Sequence, residues 1–180
     1  MRASTKMGVI GAFALVVGVA ALAQEKTAAS GSAAQTEARA AVATQHTLLT
    51  PNDVKWVDAP PVFPRGAKFA LVEGDPKTAG QLVSFRVKMP DGYKIPPHFH
   101  PADEHVIVLQ GTFNMGMGDK LDQNATKPLE AGSFAVMPKG EHHYAWTKGE
   151  TIVQVYAVGP WGLTYVNPAD DPRNAKNAKM

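Results

Sequence analysis

Apolar and polar side chains alternate through the middle of the chain. From Leu82 to Met89, Val83, Phe85, Val87 and Met89 alternate with Leu82, Ser84, Arg86 and Lys88, the two-residue period of a strand with one buried face. Lys68 to Glu73 reads as a strand before a Gly74-Asp75-Pro76 turn, and Pro90-Asp91-Gly92 ends the strand that follows. Glu104 to Gln110 predicts a strand, Gly111 a turn into Thr112 to Met117, and Glu130-Ala131-Gly132 a turn before Ser133 to Met137. His143 to Trp146 and Thr151 to Val158 predict a hairpin around Lys148-Gly149-Glu150. No stretch here keeps a helical period of about 3.6 residues for a useful length. Many short strands at regular spacing predict an all-β sandwich or closed barrel. Phe85, Phe113, Met115, Met117, Phe134 and Met137 are read as its packing.

The two ends follow other patterns. Arg2 and Lys6 precede a nearly continuous apolar run, Met7 to Ala23, that closes on Ala21-Leu22-Ala23. Positive start, apolar middle and small residues at the end are the order of a secretory signal. The run is short for a hydrocarbon core of about 30 Å. Residues 1–23 are therefore expected to be a signal peptide cleaved before Gln24, leaving no membrane anchor and a periplasmic or secreted protein. No Arg-Arg pair precedes the run, which favours the general export route. Residues 24–45, rich in Ala, Ser, Thr and Gln, read as a flexible linker. The folded domain is expected over 46–168 and a polar tail over 169–180.

Charge removes several function classes. The chain carries 18 basic and 16 acidic residues, and the surplus is Arg2 and Lys6 of the leader. No Lys/Arg cluster suggests nucleic-acid binding. The absence of cysteine excludes disulfides, thiolate ligands and a cysteine nucleophile.

Five of the six histidines fall in two clusters, at 98, 100, 105, 142 and 143. On an extended chain His98 and His100 project from one face, roughly 6.6 Å apart at Cα, and both can converge on one ion. Pro96 and Pro97 keep the chain extended before them. Glu104 opens an apolar strand, where a carboxylate is costly unless a cation sits alongside. His143, from a distant segment, offers a fourth ligand. Strand parity turns His105 and His142 away from that point, and Tyr144 and Trp146 away from His143.

The spacing of these residues resembles a known family. Gly92, five residues, His98-Phe99-His100, three residues, Glu104, six residues and Gly111 match the first motif of the cupin superfamily. Gly132, five residues, Pro138-Lys139-Gly140, two residues and His143 match the second. That motif usually ends in Asn, and here the position is Thr147, read as a turn residue rather than a ligand.

The resemblance implies an antiparallel jelly-roll barrel in a single domain. It also implies one divalent metal ion, of Zn, Mn, Fe, Ni or Cu, held by His98, His100, Glu104 and His143. Such a site leaves coordination positions open to substrate, water or dioxygen. The function expected is a metal-dependent enzyme on a small molecule, dioxygenase-like ahead of isomerase or decarboxylase. Glu104 is then a ligand that releases to act as catalytic base. The alternative is a non-catalytic barrel that binds or senses a metal or small ligand. The sequence does not fix the oligomeric state; the resemblance allows a homodimer, since dimers are common among similar barrels.

Overall fold

The computed structural model describes residues 46–174. The signal peptide and linker expected over 1–45, and tail residues 175–180, lie outside the described residues. Nine strands follow one another: β1 (Val57–Asp58), β2 (Lys68–Glu73), β3 (Leu82–Met89), β4 (Lys94–Phe99), β5 (Glu104–Met117), β6 (Lys127–Glu130), β7 (Phe134–Met137), β8 (His143–Val158) and β9 (Thr164–Tyr165). Three single-turn 3-10 helices and no α-helix accompany them among the described residues. No helix there is long and apolar enough to cross a membrane.

Every pairing is antiparallel. β5 and β8 lie side by side along nearly their whole lengths, Glu104 opposite Ala157 and Met117 opposite His143. The second half of β8 pairs with β3, and its first residues pair with β4. On its other edge β5 carries β7 at one end and β6 at the other. The two long strands thus belong to both walls of a curled antiparallel sheet. This is the all-β cupin barrel.

Two expected turns are corrected. Gly111 does not separate two strands, and Lys148-Gly149-Glu150 is not a hairpin loop; β5 and β8 run through both points. Gly111 and Gly149 have φ of 74° each, and the β5–β8 register shifts between Gln110 and Thr112. Paired bulges therefore bend both strands at one level. A side chain at Gly111 would collide with the Glu150 carbonyl and the Thr151 hydroxyl, so the bend needs glycine there.

The core fills with the inward residues of both walls, including Val83, Phe85, Val87, Met89, Val106, Val108, Phe113, Val153 and Val155. Each contributes about 1.5–3 kcal/mol by leaving water. Two packing expectations fail, because Met117 and Phe134 are 52% and 59% exposed. On β7 it is Met137 that is buried, so parity turns its neighbour-but-two Phe134 to the outer surface.

Thr147 is also corrected. It is a fully buried residue inside β8, not a turn residue. Its hydroxyl donates to the Pro90 carbonyl at 2.6 Å and accepts from the Tyr93 amide at 2.9 Å. It thereby fastens the β3–β4 turn to β8.

Candidate metal centre

His98 and His100 lie at the end of β4 and just beyond it, Glu104 is the first residue of β5, and His143 is the first of β8. His98 pairs directly with His143 across β4 and β8. The sheet therefore brings two motifs some forty residues apart to one point. The ring nitrogens of His98, His100 and His143 lie within 4.8 Å of one another, and all three residues are buried.

Each ring is held by a main-chain carbonyl. The Nδ1–H of His98 donates to Pro96 O at 2.7 Å, that of His100 to Gly162 O at 2.7 Å, and that of His143 to Glu141 O at 3.0 Å. A carbonyl only accepts, so Nδ1 carries a proton in each ring, and Nε2 is the nitrogen with a lone pair when the ring is neutral. This second layer fixes tautomer and ring orientation, as metal-ligating histidines require.

Glu104 sits beside two of these rings. Its Oε2 is 3.3 Å from His100 Nε2 and 4.0 Å from His143 Nε2. The approach to His100 lacks hydrogen-bond alignment, and His100 Nε2 is a buried nitrogen with no hydrogen-bond partner. Such an orphan is costly unless something binds it. Burial, then the neighbouring His143 and His100, push the His98 pKa down to about 3. Burial also lowers His143, despite its contact with the Glu141 carbonyl. Burial disfavours charge on His100 too, but the Glu104 carboxylate outweighs it and raises that pKa. Burial opposes charge on Glu104, yet His100, His143 and His98 together hold its carboxyl below the usual carboxylate range. With His98 and His143 neutral and His100 able to give up its Nε2 proton to a metal, the set offers three imidazole nitrogens and one anion, which fits a divalent cation.

The structure also supplies a residue that the motifs do not contain. The indole N–H of Trp161 donates to Glu104 Oε1 at 3.1 Å. Its ring stacks on His100 at a centroid separation of 5.2 Å and meets Phe85 edge-on at 4.7 Å. Trp161 lies between Pro160 and Gly162, where no periodic pattern marks it. The sole local signal is an aromatic residue in a Gly/Pro-rich turn, which is not specific.

His105 and His142 stand apart from the cluster. His105 lies 6.0 Å from the Phe134 ring on the outer surface, and His142 Nδ1 bonds Asp119 Oδ1 at 2.6 Å. Tyr144 and Trp146 face outward and are covered by the loop after β5, through Asp122 O and Thr126 Oγ1. A cavity of about 30 Å³ adjoins the three histidines and is walled by Phe85, Val106, Phe113 and Val153.

A curled antiparallel barrel carrying a buried three-histidine cluster at one end is a cupin. Residues 77–176 match the family described as Domain of unknown function (DUF4437), and the chain belongs to that family. Germin-like protein 5-1 of Oryza sativa subsp. japonica is 39% identical over 71 residues, which are 39% of this chain and 32% of that protein. Germin-like protein 9-3 of the same plant is 36% identical over 76 residues, 41% of this chain and 36% of that protein. The chain thus spans about a third of the length of the curated relatives it matches. Among solved structures, the polyketide cyclase RemF from Streptomyces resistomycificus aligns with a TM-score of 0.57 at 22% identity, covering 74% of this chain and 94% of that one. The DMSP lyase DddQ from Ruegeria pomeroyi DSS-3 aligns at 0.51 and 19% identity, covering 72% and 76%. At these identities the likeness is one of fold.

Proposed function

We propose that this barrel is a metal-dependent enzyme acting on a small organic molecule outside the cytoplasm, with oxygenation as its reaction class. His98, His100 and His143 would hold one divalent ion through Nε2, with Glu104 as the fourth ligand. The observation that carries the reading is the orphaned His100 Nε2 among three converging, carbonyl-anchored imidazoles. A bound ion would supply Lewis acidity and an exchangeable coordination position.

The protein's own residues supply the rest. The cavity of about 30 Å³ beside the histidines exceeds the roughly 10–15 Å³ that one water needs, so a water-sized or diatomic ligand has room there. Its apolar walls exclude bulk solvent. Glu104, with Oε1 on the Trp161 indole and Oε2 toward the imidazoles, is the group placed to hold or take up a proton. The cyclase and lyase folds above show that this architecture hosts chemistry on small molecules, which supports the reading by analogy. The expected signal peptide supports the location.

Cobalt substitution tests it. Cobalt-loaded protein should show an absorption spectrum that changes when azide is added, as an open site requires. A tetrahedral spectrum indifferent to azide would reject the enzyme and leave a structural or sensing role for the metal.

A further inference from the structure

The space beside the histidines is too small for an organic substrate. It measures about 30 Å³, whereas small organic ligands occupy pockets of roughly 300–1,000 Å³. A second cavity, of about 430 Å³, shares Trp161 and Leu163 with the first. These two side chains form part of the wall of both. The larger cavity combines aromatic surface, from Phe69, Phe99 and Trp161, with the cationic side chains of Lys77 and Arg173.

Two cationic side chains line this cavity against one carboxylate, and a second carboxylate, Asp171, is paired to Arg173 from outside the lining. Asp75 is the one carboxylate in its lining, and it is engaged in its own turn by the Lys77 amide at 2.9 Å and the Thr78 hydroxyl at 3.3 Å. Arg173 directs Nε and Nη2 to Asp171. Of the five guanidinium N–H groups, those on Nη1 make no hydrogen bond among the described residues. The Lys77 ammonium forms no ion pair among the described residues. A guanidinium and an ammonium beside flat aromatic faces match a carboxylate on a ring.

We propose that this cavity binds a small aromatic organic acid, its carboxylate held by Lys77 and Arg173 and its ring against Phe69, Phe99 and Trp161. The Trp161 indole is the partition that couples the occupant to the metal centre, since the same ring stacks on His100 and hydrogen-bonds Glu104. The coupling rests on the proposed metal centre; the binding site itself does not.

Calorimetry on the full chain, with 2-naphthoate and its neutral amide as probes, separates the two. Naphthoate should bind one per chain, at least tenfold tighter than the amide, with and without metal. The Lys77→Ala/Arg173→Ala double variant, altered at the cavity lining away from the histidines, should lose tenfold or more for naphthoate and nothing for the amide. Failure of naphthoate to bind, equal affinity for acid and amide, or an unchanged double variant would each overturn the site. Binding that requires the metal would place the carboxylate on the ion and overturn the assignment to Lys77 and Arg173. In cobalt-loaded protein saturating naphthoate should shift the absorption spectrum, and Trp161→Phe, saturated in the same way, should abolish the shift. A shift that persists in Trp161→Phe overturns the coupling. Failure of cobalt to load would count against the metal centre and leave the calorimetric result standing.

Discussion

The indole N–H of Trp161 lies 3.1 Å from Oε1 of Glu104, a contact between a turn after β8 and the first residue of β5. It uses one oxygen of a buried carboxylate and leaves the other facing His100 and His143. Trp161→Phe keeps an aromatic ring on His100 and removes the donor. Removing such an outer-layer partner typically costs about 10–100-fold in metal affinity. Zinc affinity measured against a competing chelator should fall within that range, and Trp161→His, which restores an N–H, should recover part of it. Unchanged affinity in Trp161→Phe would show that the indole does not position Glu104.

The three clustered histidines should separate from the other two in metal content. His98→Ala, His100→Ala and His143→Ala should each lose most of the bound metal, whereas His105→Ala and His142→Ala should retain it. His105 lies by Phe134 and His142 is bonded to Asp119, so neither faces the centre. Elemental analysis of the five purified variants decides this, and equal content in all five would defeat the assignment.

Acid should destabilise the metal-free barrel through His98. Its folded pKa of about 3 lies below the ordinary histidine value of 6.5. An unfolded chain takes up this proton as pH falls through that window and the folded chain does not, so stability falls by about 1.4 kcal/mol per pH unit from this group. His143, also lowered by burial, adds in the same direction. His100 is shifted up, so its share of stability is present at low pH and lost as pH rises through its folded value. Thermal melts of metal-free protein between pH 4 and 7 should show a slope that His98→Gln reduces. Metal loading near neutral pH should release a proton from His100, measurable as a buffer-dependent heat of binding.

Thr147 should matter for stability more than for metal. Thr147→Val removes a hydroxyl that bonds both Pro90 O and the Tyr93 amide and leaves the two with only their longer bond to each other, 3.3 Å. The expected loss is about 1–3 kcal/mol in denaturant unfolding, with metal content retained. An unchanged midpoint would refute the role given to this hydroxyl.

Export should be visible at the N-terminus. The charge-then-apolar order and Ala21-Leu22-Ala23 predict a processed chain starting at Gln24. N-terminal analysis of exported protein should find it there; an intact Met1 in the membrane fraction would reject the signal peptide.

Alternation marked β3 over the span it occupies, because inward and outward positions of a half-buried strand differ in polarity residue by residue, and a short apolar run ended by a Gly-Asp-Pro turn marked β2. Motif spacing likewise singled out His98, His100 and His143 as the histidines that meet, since parity on short extended segments is a local property. Parity also set His105 and His142 aside. It did not decide which face of β7 is covered, and Phe134 proved exposed.

Two features were decided by the tertiary structure. Gly111 and Gly149 supply a positive φ that serves a hairpin turn or a bulge equally well. The pairing of β5 with β8 across both points makes them bulges, because the hydrogen-bonding partner comes from some forty residues away. Trp161 meets Glu104 across 57 residues of sequence. Nothing within its own turn encodes that meeting; it follows from closing the barrel, which carries the turn after β8 back over the first residue of β5.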